Sequence, residues 1–198
     1  MIYILLIAAL YSNGFDKAEP GKVPDELMVL EGGFNVQEEG GNKFLELPGA
    51  PLETFGLLFG PTEAENISAT ARFYGTGKGR RFPTFALGVN GVSGYKLQMS
   101  PGKKALELVK GENEVLATVP YTWESGTWTT LRLQVRKASD GQWQIEGKAW
   151  KQGAAEPGKW MITHSEKTAP MAGRAGVWGM PYAGTPIRFD DLTVAKVE

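Results

Sequence analysis

The sequence predicts an all-β protein in which two antiparallel sheets pack face to face as a jelly-roll sandwich. Three observations lead there. Apolar and polar residues alternate with a period of two through much of the chain, as in strands with one buried and one wet face. Gly and Pro account for 26 and 12 of the 198 residues while 42% of the chain is hydrophobic, so many turns separate many short ordered segments. No long stretch carries a helical period. About a dozen strand candidates spaced roughly 8–12 residues apart, with short turns between them, must pair antiparallel, since parallel neighbours need long crossovers. So many strands do not remain one open sheet; they stack.

The elements follow in order. Ile2–Leu10 (IYILLIAAL) is apolar and uncharged, but far short of the roughly 20 residues of a membrane-spanning helix. It has the length of the apolar region of a signal peptide, with no Lys or Arg before it and Ile7-Ala8-Ala9 as its best cleavage site. Residues 1–12 are therefore read as the remnant of an export signal, the alternative being a first strand packed on the sandwich. Residues 13–198 then form one domain, and the protein is secreted, periplasmic or at the cell surface.

Within that domain, Ile67, Ala69, Ala71 and Phe73 alternate with Ser68, Thr70 and Arg72. Phe85, Leu87 and Val89 follow the same rule, as do Tyr95, Leu97 and Met99 against Lys96 and Gln98. Lys103–Lys110 fits a strand better than a helical turn. Leu131, Leu133 and Val135, then Trp143, Ile145 and Ala149, face inward; Asp140-Gly141 between these runs predicts a hairpin. In the last strand, Ile187 and Phe189 are out of phase with Leu192 and Val194. Either a bulge lies at Asp190-Asp191 or the strand is covered on both faces there.

Composition narrows the chemistry. A net charge of −1 disfavours nucleic acid as a partner of the whole surface. Zero Cys removes disulfides and Cys-ligated metals, and a single histidine, His164, removes multi-His centres. His164 reads as an exposed loop residue. The chain has no Gly-x-Ser-x-Gly elbow and no phosphate-binding P-loop.

Three stretches carry a family resemblance. They are the opening Asn13-Gly14-Phe15-Asp16 with Gly21-Lys22-Val23-Pro24-Asp25, the central Gly126-Thr127-Trp128-Thr129-Thr130-Leu131-Arg132-Leu133, and the closing Gly173–Gly179 with Phe189-Asp190-Asp191-Leu192-Thr193-Val194. In that order they resemble the concanavalin A-like lectin/glucanase superfamily, in its laminin-G-like or bacterial carbohydrate-binding form. The resemblance implies a concanavalin A-like sandwich and an activity among sugar binding, polysaccharide cleavage and surface adhesion. The superfamily's glucanases carry an E-x-D-x-x-E strand of paired carboxylates, a pattern this chain lacks.

Candidate site residues come from outward phases and turns. Sugars stack on aromatic rings and take hydrogen bonds from a few polar side chains. Arg72, Tyr74, Lys96 and Gln98 occupy the polar phase of two central strands, and such sandwiches present the outward residues of their concave sheet to ligand. The alternative is the ordinary wet side of a sheet. Trp178 and Tyr182, in Gly/Pro-rich segments, are either exposed ligand contacts or lids over the sandwich ends, whereas Trp128 and Trp143 read as core. Arg81 belongs to Gly75-Thr76-Gly77-Lys78-Gly79-Arg80-Arg81, whose three cations suit anionic glycan groups or simply a solvated connection. Because the fold places first and last strands side by side, Asp16 should meet Asp190 and Asp191. Clustered carboxylates need protonation or a cation, and the resemblance implies a structural calcium ion. The alternative has Asp190 accepting backbone N–H bonds with no metal.

Together these readings give a non-catalytic, exported module binding a polysaccharide or surface glycan, with no nucleic acid partner and no stable membrane insertion. The alternatives are a glycan hydrolase or lyase of the same fold, and a structural or adhesion domain.

Overall fold

The computed structural model describes residues 9–49 and 53–197. Among them the chain forms fifteen strands. They are β1 (Ala9–Asn13), β2 (Met28–Glu31), β3 (Asn35–Glu39), β4 (Asn42–Leu47), β5 (Phe55–Glu63), β6 (Ile67–Tyr74), β7 (Thr84–Val89) and β8 (Tyr95–Ser100), then β9 (Ala105–Lys110), β10 (Glu114–Pro120), β11 (Thr129–Lys137), β12 (Trp143–Lys151), β13 (Ile162–Glu166), β14 (Gly173–Met180) and β15 (Ile187–Lys196). One 3₁₀ turn, Pro101–Lys103, links β8 to β9. Sheet I runs β13-β12-β11-β6-β15-β4-β3, with β1 also on β15; sheet II runs β10-β9-β8-β7-β14-β5-β2. The two antiparallel sheets form the expected concanavalin A-like sandwich. Among the described residues, no helix is long and apolar enough to cross a membrane.

The core lies between the sheets and is built from the inward phases. Phe73 of sheet I stacks on Phe85 of sheet II with ring centroids 5.0 Å apart, and Phe189 meets Phe73 edge-on at 5.5 Å. Leu87, Leu97, Leu131, Leu133 and Val135 are fully buried around them. The predicted hairpin is present: the Ala138 N–H donates to the Gln142 carbonyl at 2.7 Å, and Gly141 adopts the φ of +82° that the turn requires.

The sheet edges carry short strands. All four residues of β2 are exposed. β13 carries His164, which is therefore an edge-strand residue rather than a loop residue; its Nε2 lies 3.7 Å from Glu166.

Two further points bear on alternatives left open by pattern. β1 pairs with β15 from Ala9 onward and sets the Tyr11 ring 5.6 Å from Phe59. Residues 9–12, on the signal side of the expected boundary at 13, thus lie in sheet I, with Tyr11 packed inward while Leu10 and Ser12 face out. The remainder of the export-signal reading falls on residues 1–8, outside the described residues. In β15, the register with β6 shifts between Asp190 and Thr193, and Asp191 takes φ 49°. This bulge lets Phe189 and Leu192 both reach the core.

Candidate functional site

Sheet II carries a groove of about 460 Å³ on its outer face. Its floor is the indole of Trp178, laid flat against the sheet. Trp178 lies on β14 directly opposite Gly56 of β5 and Ala86 of β7. Those strands, and β14 itself, place glycines under the ring. A Cβ at Gly56 would sit 2.5 Å from Trp178 Cδ1, one at Gly88 2.5 Å from Cζ3, and one at Gly176 2.6 Å from Cη2. Only residues without side chains admit the ring this close to the backbone. Leu58 and Ala86 complete a small apolar cluster with it, separate from the main core. Trp178 is consequently only 7% exposed. It is neither a projecting ring nor a lid over the sandwich end, the two expectations for it.

Polar groups form the wall. The Ser100 hydroxyl donates to Glu107 Oε2 at 2.5 Å, Gln98 Nε2 lies 3.3 Å from the same oxygen, and Lys103 Nζ donates to Oε1 at 2.9 Å. Burial alone pushes the Glu107 carboxyl up, but these donors outweigh it and hold it below the usual carboxylate range. Lys96 Nζ sits 4.7 Å from the centre of the Trp178 ring and donates to the Gly111 carbonyl at 3.0 Å. Burial pushes the Lys96 ammonium down, partly offset by Glu112. Tyr182, half-exposed, stands at the groove with Met180, and Arg80 and Phe82 come in from the Lys78–Arg81 turn.

The structure therefore splits the expected ligand residues. Lys96, Gln98, Trp178 and Tyr182 converge on one groove. Arg72 and Tyr74 lie on β6, in the other sheet, and the groove expected from combining them with Lys96 and Gln98 is not formed. Alternation gives the phase of a side chain within its strand but not the sheet to which the strand belongs. Arg81 pairs with Lys78 across the turn while its neighbour Arg80 lines the groove. Arg80 is one of the three loop cations with an expected ligand role, whereas Ser100 and Lys103 carry no local signal for the groove. The glycine at position 102, after a proline, signals the tight turn that brings Lys103 back, but nothing local points it at Glu107.

The outer face of sheet I is occupied by its own side chains. Arg72 lies 5.1 Å above the Trp128 ring, Tyr74 packs on Trp128 at 5.5 Å, and Arg188 covers both Phe44 and Tyr74 at 4.5 and 5.2 Å. Arg188 also pairs with Glu39 and Glu46. Trp128, expected in the core, is thus an outer-face residue, held by Arg72, Tyr74 and Phe44; Trp143 does pack against the core.

The acidic cluster forms, but its counter-charge is Arg72. Arg72 Nη2 donates to Asp190 Oδ2 at 2.7 Å, and Asn42 Nδ2 donates to the same oxygen at 3.1 Å. The Asp191 N–H donates to Asp190 Oδ1 at 2.8 Å. Arg72 Nε lies 2.7 Å from Asp191 Oδ2, off the N–H direction, so that contact is electrostatic rather than a hydrogen bond. Asp16 and Asp191 border the same spot: a Cβ on Gly14 would lie 3.3 Å from Asp191 Oδ1 and 3.8 Å from Asp16 Oδ2. Burial pushes Asp190 up, and the bonds from Asn42 and the Asp191 N–H oppose it. Both Asp190 oxygens are engaged within the fold, and the single Arg72 guanidinium faces two carboxylates, so a calcium ion here would have to draw its oxygens from Asp16 and Asp191. Among the described residues, no group of three or more His, Cys, Asp or Glu is set to hold a metal. Asp190 does accept the Asp191 backbone N–H.

No protein-family model matches the chain, and no curated protein matches it. Solved structures share its fold. A Bacillus subtilis protein of unknown function with a galectin-like fold superposes with a TM-score of 0.69 at 14% identity, covering 96% of this chain and 98% of that one. The carbohydrate-binding module CBM66 from Bacillus subtilis gives 0.59 at 13% identity, covering 86% and 96%. Lectin II from Ulex europaeus gives 0.59 at 12% identity, covering 96% and 100%. At these identities the likeness is one of fold, and it joins the chain to the galectin-like and lectin sandwiches.

Proposed function

We propose that the chain is a non-catalytic carbohydrate-binding module and that its ligand, a polysaccharide or surface glycan, lies in the sheet II groove. The observation that carries this reading is the half-exposed Tyr182 beside a polar wall, over the floor that the buried Trp178 makes. The Tyr182 ring offers an apolar face to a sugar, while the Gln98 side-chain carbonyl and the free donors of Lys96 are left for directional hydrogen bonds. The groove volume is in the range of small-ligand sites. The lectin and carbohydrate-binding neighbours lend the fold to the same use. Glu107, engaged by Ser100, Gln98 and Lys103, fixes the polar wall in place. We propose with it a secreted, periplasmic or cell-surface location, where polysaccharides and surface glycans are met.

A glycan array probed with the wild type, Gln98→Ala and Tyr182→Ala tests this. Gln98 donates one hydrogen bond to Ser100 and one to Glu107, and Tyr182 is half-exposed, so both variants should keep the fold. Signals of the wild type should weaken about fivefold or more in each variant. Signals unchanged in both variants would remove the groove as the binding site.

A further inference from the structure

We propose that the groove selects an acidic saccharide, one bearing carboxylate or sulfate groups, and that Arg80 and Lys96 are the cations that hold those groups. This rests on the carbohydrate-binding reading above. The chain as a whole carries a charge of −1, yet the groove lining has the cations Arg80, Lys96 and Lys103 against the single carboxylate Glu112. Lys103 is committed to Glu107 at 2.9 Å. Arg80 is exposed and makes no ion pair among the described residues.

Lys96 is the more informative of the two. Its ammonium is half-buried against the Trp178 face, with one hydrogen bond, to the Gly111 carbonyl at 3.0 Å. An ammonium has three donors, so two remain for water or ligand. Glu112 acts on it only from beyond ion-pair distance, and burial lowers its proton affinity. A cation taken partly out of water without a carboxylate partner is costly, and an incoming anion relieves that cost. A neutral sugar cannot. Lys78 and Arg81, opposed across the turn that carries Arg80, raise the positive potential at that side of the groove. A sugar ring resting near Trp178 would present its acidic substituent to Lys96 and Arg80.

The test is calorimetric titration of the full chain with three probes: tetragalacturonate, a chondroitin sulfate tetrasaccharide and the neutral cellotetraose, at about 0.02 M and about 0.15 M salt. Arg80→Ala and Lys96→Met are measured alongside, with melting curves as a check on folding; Arg80 is an exposed turn residue, so its variant remains informative if Lys96→Met is unstable. At least one acidic probe should bind about tenfold or more tightly than cellotetraose, weaken at the higher salt, and lose about tenfold in Arg80→Ala. Equal or tighter binding of cellotetraose would overturn the acidic selectivity while leaving the carbohydrate-binding groove standing. Acidic binding that is unchanged in Arg80→Ala and Lys96→Met would overturn the assignment of these two cations. Failure of all three probes to bind would overturn the inference, and the glycan array then decides separately whether the groove binds any sugar.

Discussion

The bed of glycines beneath Trp178 can be tested by a single methyl group. At Gly56 the backbone lies outside the left-handed region, so alanine is conformationally allowed there. By the ordinary rule, Gly→Ala at a compatible site stabilises by about 0.4–1 kcal/mol through the unfolded chain. Here the added Cβ would stand 2.5 Å from both Cδ1 and Nε1 of the indole. The ring must rise by roughly 1 Å to reach ordinary van der Waals contact, and it carries Leu58 and Ala86 contacts with it. Overpacking of this kind costs about 1–3 kcal/mol. The net expectation for Gly56→Ala is therefore a loss of about 0.5–2 kcal/mol, or several degrees in melting temperature for a chain of this size. Gly158→Ala is the control, since a Cβ there meets nothing within 4 Å; it should be neutral or stabilising. The double variant Gly56→Ala, Gly88→Ala should lose less than the sum of its parts, because a ring already lifted clears both methyls. Urea unfolding followed by tryptophan fluorescence measures these three variants beside Gly88→Ala alone and the wild type. If Gly56→Ala proves as stable as the wild type or more so, the indole does not lie on the sheet, and the floor of the groove has been misassigned.

Other expectations follow from the same geometry. Deleting residues 1–12 removes most of β1 and the Tyr11–Phe59 contact, so chemical denaturation should show a loss of at least about 1 kcal/mol; an unchanged midpoint would show that β1 does not belong to the cooperative unit. Arg72→Ala leaves Asp190 buried without its cation. It should cost about 2–4 kcal/mol, somewhat below a fully buried pair because the Arg72 side chain is 27% exposed. In the wild type, melting curves in EDTA and in millimolar calcium should coincide, and a calcium-dependent rise would reinstate a metal at the acidic cluster. Glu107 titrates below its ordinary value of 4.5 in the folded state. Its ionised form thus stabilises the fold above that pH, and the contribution fades as pH falls through the lowered pKa. The stability gap between wild type and Glu107→Gln should be about 1–3 kcal/mol near neutrality and close on acidification; a gap independent of pH would contradict the assigned hydrogen bonds.

The local pattern of residues determined the all-β class, the Asp140-Gly141 hairpin, the inward phase of the central strands and the kink at Asp190-Asp191. Each of these is a matter of neighbours along the chain: a period of two, a glycine at positive φ, a change of phase between Phe189 and Leu192. Strand partnership is not. β6 and β8 show the same alternation, yet β6 settles between β11 and β15 while β8 joins β7 and β9 in the other sheet. Arg72 and Tyr74 are therefore separated from Lys96 and Gln98 by the thickness of the sandwich. The burial of an outward-phase tryptophan likewise depends on glycines at positions 56 and 88, far from Trp178 in sequence and adjacent only after pairing. The acidic cluster shows the same limit in electrostatic form. Clustered carboxylates announce the need for a positive charge, but that a guanidinium stands beside them depends on β6 bringing Arg72 to Asp190, 118 residues away along the chain.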